Sequence, residues 1–300
     1  MNNWLVQIYF LNNCMKTLKE SLLSDIDTNI GQGTAVADEI VVFEAIRKDY
    51  RLKAERRNKL TIVGKTPDGK CLVNYTGDVD VKNKDLTTLE NELFQWNEVS
   101  GTFTCFKLNK LKDLKGSPRN CAGFNCNQCT GLESLEGAPE KMTPGDSLIG
   151  HGFYCIGCSK LKTLKGTPKT VWGGFNCSHC LKLTSLEGAP IVIIGNFICT
   201  DTNIKTINHT FNSVTAEFDL RNCKYLTTLK GLPARIGNKL VLVGCNSLDL
   251  LKLDWQPKII NGTVHLSSGN LSEEEKDKVT NFFDSVISNH SFSSDVKWYL

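Results

Sequence analysis

Apolar residues along this chain follow two different rhythms. Near the N-terminus they fall at helical spacing: Leu18, Leu22, Leu23 and Ile26 share one face, and Thr17 with Glu20 makes a capping box ahead of them. A second helical stretch is predicted over about 35–57, with Ile40, Phe43 and Ile46 turned inward. Two short apolar runs, 60–63 and 71–75, then flank Pro67-Asp68-Gly69, which signals a hairpin. Residues 15–76 are therefore expected to form a small α+β domain.

From residue 77 the rhythm becomes a long repeat. The unit Gly-Phe-x-Cys-x-x-Cys-x-x-Leu-x-x-Leu-x-Gly-x-Pro runs from Gly123-Phe124 and Cys126 through Leu132, Leu135, Gly137 and Pro139. It returns at Phe153, Cys155, Cys158, Leu161, Leu164, Gly166 and Pro168, and at Phe175, Cys177, Cys180, Leu183, Leu186, Gly188 and Pro190. Weaker copies start at Phe103, Phe197, Phe218 and Leu240, and terminal copies at Val79 and Val264. From Phe103 to Phe124, Phe153, Phe175, Phe197 and Phe218 the steps are 21, 29, 22, 22 and 21 residues. The long step predicts a loop insertion over 140–151, around Pro144-Gly145.

Phe and Cys two residues apart point to one face of a strand. The second Cys follows where the chain turns inward. Two leucines three apart fit a helical or 3₁₀ turn packed back on the strand. Gly then allows a positive φ, and Pro stops regular structure from continuing. A single unit leaves both its apolar sides and its strand edges bare, so the units must stack. The fold class expected is an α/β solenoid with a parallel β-ladder over 77–270. Ser272 and Glu275 form another capping box, and Val279, Phe282, Phe283, Val286 and Ile287 follow at helical spacing. Residues 271–300 are thus read as a capping helix and tail.

The unit resembles the leucine-rich-repeat family, with Cys where many members carry Asn or Cys. More narrowly, the run Gly173-Gly174-Phe175-Asn176-Cys177-Ser178-His179-Cys180, followed by Leu183 to Pro190, is similar to Cys-containing leucine-rich-repeat proteins of large tailed (crAss-like) bacteriophages and gut bacterial metagenomes. The opening from Met15 to Asp27 is similar to the start of such proteins. The resemblance spans about residues 15–270. It implies a solenoid, a binding habit, and a phage-encoded protein acting in the host cytoplasm; it carries over no catalytic residue.

Composition changes little in this picture. The 300 residues are 40% hydrophobic and 22% charged, with a net charge of +3, which favours neither nucleic acid nor anionic membrane as an obligate partner. Thirteen cysteines are an odd number in a chain long enough to bury a core without disulfides, so reduced thiols in the cytoplasm are expected. No apolar run approaches the ~18 residues of a membrane span. Residues 1–14 are read as an extension without structure, and either Met1 or Met15 as the start. Oligomeric state is left open.

Several constellations compete with a plain binding role. Cys126/Cys129, Cys155/Cys158 and Cys177/Cys180 have zinc-knuckle spacing. Equivalent positions elsewhere hold Leu108, Leu220, Leu242 and Leu266, which marks them as core, so neither metal nor cofactor is expected. Arg47, Lys48, Arg51, Lys53, Arg56, Arg57 and Lys59 could grip phosphates but read as a solvated helix face. His151, His179, His209, His265 and His290 lie in different units without a partner at motif spacing, and no enzyme is expected.

With Phe and Cys inward, strand alternation turns the intervening residues outward onto the expected concave face. Phe106, Tyr154, Ile156, Ile198, Val241 and Val243 are apolar in that row, and Arg221 lies beside them. Aromatic residues and Arg are frequent anchors of protein interfaces. The chain is therefore expected to be a non-enzymatic protein–protein interaction module docking through these seven residues. The alternatives are a structural component of a virion or multi-protein assembly and, further off, a zinc- or nucleic-acid-binding protein.

Overall fold

The computed structural model describes residues 35–52, 60–145, 151–253, 258–287 and 295–300. They fall into two compact units, Met1–Lys48 and Asp49–Leu300. The helix expected over 15–26 lies outside the described residues. The second helix, α1 (Ala35–Asp49), buries Val42 and Ile46 and leaves Ile40 and Phe43 partly covered. It ends eight residues earlier than expected (57 − 49). Tyr50 and Leu52 instead continue as strand β1 (Tyr50–Leu52), antiparallel to β4 (Val79–Val81), and Tyr50 is buried. Arg47, Lys48 and Arg51 are exposed; Lys53, Arg56, Arg57 and Lys59 lie outside the described residues.

The second unit is a parallel β-solenoid. The hairpin of β2 (Leu60–Lys65) and β3 (Cys71–Tyr75) forms as expected around Gly69, but it does not stand apart. β3 runs parallel to β5 (Phe94–Thr104), from Cys71↔Phe94 to Tyr75↔Val99, so the hairpin belongs to the solenoid's own sheet. The ladder continues through β6 (Asn120–Asn125), β8 (Gly152–Tyr154), β10 (Gly174–Asn176), β12 (Phe197–Ile198), β14 (Phe218–Asp219), β16 (Leu240–Val241), β18 (Val264–Ser267) and β19 (Val296–Tyr299). Phe124 pairs directly with Phe153, so the register is kept across the long step, and Lys141 and Met142 inside the expected insertion pair with Asn120 and Cys121.

This register stacks one inward residue per coil: Val79, Phe103, Phe124, Phe153, Phe175, Phe197, Phe218, Leu240, Val264 and Val296, all buried. Between Phe103 and Phe218 the successive ring centroids lie 5.9, 5.2, 5.5, 5.7 and 4.6 Å apart, within the range of favourable aromatic stacking.

A second parallel ladder, absent from the sequence expectation, closes the other side of the interior. β7 (Lys141–Met142) pairs with β6, and β9 (Thr170–Trp172), β11 (Val192–Ile194), β13 (Ser213–Val214), β15 (Arg235–Ile236) and β17 (Ile259–Ile260) form a separate sheet. Its inward residues are Val171, Ile193, Val214, Ile236 and Ile260, each at most 1% exposed. The leucines between the ladders sit in single i→i+3 turns, such as Leu161 N–H to Cys158 O (3.0 Å) and Ala189 N–H to Leu186 O (3.0 Å).

Helix α2 (Glu273–Asp284) carries the expected capping box and buries Val279 and Phe283. It replaces the turn of one further coil. After it, Ile287 bridges to Ile260 and extends the second ladder, and β19 extends the first beside β18.

Candidate functional site

Seven successive coils leave the first ladder through a left-handed residue: Lys107, Gln128, Gly157, His179, Asp201, Asn222 and Gly244, with φ from 56° to 79°. This reversal brings the second Cys inward one residue later. Its thiol then meets a backbone acceptor. Cys129 Sγ donates to Cys105 O (3.0 Å), Cys158 to Cys126 O (3.1 Å), Cys180 to Cys155 O (3.1 Å), Cys223 to Cys199 O (3.1 Å) and Cys245 to Leu220 O (3.2 Å). For the Cys105, Cys126 and Cys155 carbonyls the thiol is the donor, and a buried carbonyl left without one is costly; Cys199 O also accepts the Thr202 hydroxyl and Leu220 O the Cys223 N–H. Where the position is Leu108, the Lys84 ammonium reaches the preceding carbonyl, Val81 O, at 3.1 Å. Burial pushes the Cys121 and Cys245 thiols up, and that of Cys177 to about 12. Among the described residues no group of three or more His, Cys, Asp or Glu side chains is placed to hold a metal ion.

The outward row of the first ladder divides into two kinds of residue. Six of its polar side chains bond within the solenoid. The Asn125, Asn176 and Asp219 side chains accept the N–H groups of Asn127 (3.0 Å), Ser178 (3.0 Å) and Arg221 (2.9 Å), closing the turn. Asn127 Oδ1 accepts Ile156 N–H (2.7 Å), Ser178 Oγ accepts Thr200 N–H (3.1 Å), and Ser267 Oγ accepts Gly244 N–H (2.8 Å), tying each coil to the next. These bonds depend on local geometry that strand alternation does not encode.

The apolar members, the Tyr154 hydroxyl apart, have no such partner, and the structure places them unequally. Phe106, Ile156, Ile198 and Val243 are partly exposed in the row. Lys107 lies over the Phe106 ring, its ammonium 5.1 Å from the centroid. Tyr154 lies along the glycine corner between the ladders: a Cβ on Gly152 would come within 2.9 Å of its hydroxyl, which donates to His151 O at 3.4 Å. Tyr154 and Ile198 help wall a small recess of about 250 Å³ there. Arg221 is 54% exposed at its side chain and binds the Asp219 carboxylate through Nε and Nη2.

Val241 departs from the expectation. It is 4% exposed, held in register between Asp219 and His265. The His265 ring there is stacked on Tyr299 (5.3 Å, 19°), and its nitrogens lie 2.8 Å from Tyr299 Oη and Thr263 Oγ1. Neighbours thus cover Val241, and it cannot contribute to a docking surface.

These features define a parallel β-solenoid with a thiol-lined interior and one mixed outward face. No family model matches the chain, and neither curated proteins nor solved structures give a match. No helix among the described residues is long and apolar enough to cross a membrane.

Proposed function

We propose that the chain is a non-enzymatic interaction module whose first-ladder outward face docks another protein through Phe106, Ile156, Ile198, Val243 and Arg221. One observation carries this reading: the Asn125, Asn127, Asn176, Ser178, Asp219 and Ser267 side chains of the face bond within the solenoid, and Phe106, Ile156, Ile198 and Val243 stand partly exposed among them beside the Arg221 guanidinium, which Asp219 orients and which stays 54% exposed at its side chain. Apolar anchors with Arg at their margin are what protein interfaces use. The repeat's likeness to phage leucine-rich-repeat proteins supports a host protein as the partner.

The test is affinity purification from an expressing host with quantitative mass spectrometry. Phe106→Asp, Ile156→Asp and Ile198→Asp together are expected to abolish recovery of the specific partner. Circular dichroism and Tm should stay close to those of the parent, because none of the three is buried. A partner retained undiminished by the triple variant would exclude this face.

A further inference from the structure

One coil breaks the repeat on the side away from the Cys ladder. The residue after the second leucine of each unit stands at one register position in successive coils: Lys115, Glu136, Lys165, Glu187, Asn208 and Lys230. The signs alternate and the neighbours pair, Lys115 with Glu136 at 3.3 Å and Lys165 with Glu187 at 2.9 Å. Lys230 would be the next lysine in the series, but position 208 before it holds an amide. Among the described residues Lys230 therefore has no carboxylate partner, and neither has Lys258.

The same coil changes shape. His209 stands where other units have Gly, and Phe211 stands in place of Pro. Phe211 turns into the interior against Phe197 and Phe218, 5.3 Å from each, and His209 packs edge-on against it at 4.5 Å. Asn208 takes a φ of 39°. A recess of about 770 Å³ opens here. Lys230 and Lys258 stand on its wall, Thr206, Asn208 and Thr210 add polar groups, and Leu232 contributes to an apolar floor. No acidic side chain lines it among the described residues.

We propose that this recess binds a small phosphate-bearing ligand, with the Lys230 and Lys258 ammonium groups on the phosphate and the rest of the ligand over Phe211 and Leu232. Two cations at a concave surface, without a carboxylate partner among the described residues, concentrate field on an anion. Lysine serves phosphate as a point charge with three donors. The volume falls within the ~300–1,000 Å³ usual for small-molecule sites. The site is independent of the protein-docking face: it is built by the Gly-x-Pro corner of another stretch of the coil.

Isothermal titration of the full chain at low salt with AMP, ribose 5-phosphate and adenosine tests the proposal. AMP or ribose 5-phosphate is expected to bind, and adenosine to bind at least tenfold more weakly. Lys230→Gln and Lys258→Gln should each weaken binding several-fold. Asn208→Asp, which supplies the acid the row lacks and suits a left-handed backbone, should weaken it about tenfold without lowering Tm. The proposal is overturned if neither phosphate compound binds at millimolar concentration, if adenosine binds as well as AMP, or if all three variants bind like the parent.

Discussion

Cys180 Sγ donates a hydrogen bond to the backbone carbonyl of Cys155, 25 residues earlier, at 3.1 Å inside the solenoid. The contact repeats from coil to coil, so the position selects a donor as well as a small apolar volume. Thr202 takes the position in one coil but bonds differently, its hydroxyl lying 3.4 Å from Cys199 O of its own coil and 3.3 Å from Cys223 Sγ of the next. Removing the donor leaves a buried carbonyl unsatisfied, which costs about 1–3 kcal/mol on top of the lost side-chain volume. Cys180→Ala is expected to lower unfolding free energy by about 2–4 kcal/mol. Cys180→Ser, which keeps a donor, should recover about 1 kcal/mol of that in urea denaturation. Equal losses for the two would mean the thiol acts through volume alone.

The same geometry shields the thiols from chemistry. All twelve described cysteines are free and buried. Reaction with an aromatic disulfide needs an accessible thiolate; burial raises the pKa of Cys121, Cys177 and Cys245, and where hydrogen bonds with neighbouring thiols hold Cys105 and Cys180 below the ordinary value, burial still denies the reagent access. The twelve described cysteines should release no thionitrobenzoate quickly from the native protein, and all thirteen thiols of the chain should react after guanidinium unfolding. Fast release of several equivalents from the native state would contradict a closed interior.

The first ladder was legible because it combines two strong signals, a 22-residue period and alternation that puts Phe and Cys on one face. The second ladder escaped because its strands are only two or three residues long and its inward residues, Val or Ile in five coils (Val171, Ile193, Val214, Ile236 and Ile260) but Cys121 and Met142 in two, carry no marker as distinctive as the Phe-x-Cys pair. A signal existed nonetheless, since all but Val214 lie three residues after a proline, and Val214 lies three after Phe211, which takes the place of that proline. Of the outward face, sequence gave the side on which each residue lies. It could not show that Asn125 and Asn176 close their own turns, that Tyr154 lies over glycines, or that Val241 is covered, because those depend on neighbours one coil away.

Glycine has two distinct tasks in the unit, and substitution separates them. Gly188 has a φ of 89°, and a Cβ there would fall 2.4 Å from Lys165 N in the preceding coil. Gly157 has a φ of 70°, but its Cβ would meet Gln128 Cγ at an ordinary 3.5 Å. Gly157→Ala should therefore cost only the left-handed penalty, about 1–2 kcal/mol. Gly188→Ala must also push two coils apart and should cost more, about 3 kcal/mol or above. Thermal denaturation of the two variants side by side decides whether coil spacing is as tight as this predicts.

Two histidines give the solenoid a pH dependence of known sign. Burial lowers the pKa of His209, opposed by the Pro190 carbonyl. Burial also lowers that of His265, helped by Lys239, Lys297 and Arg221 and opposed by Asp219. Each binds its proton more weakly folded than unfolded. Their contribution to stability is present above the unfolded value, about 6.5, and is lost as pH falls through the depressed folded values. Tm should fall between pH 7 and pH 5, before the carboxylates of Asp85 and Glu133, held low by Lys110 and Lys162, begin to protonate. His265→Gln keeps an amide that can bond Thr263 and Tyr299 but cannot titrate, and it should flatten that slope. If the slope over this window is as steep in His265→Gln as in the parent, the β18–β19 junction does not respond to protonation.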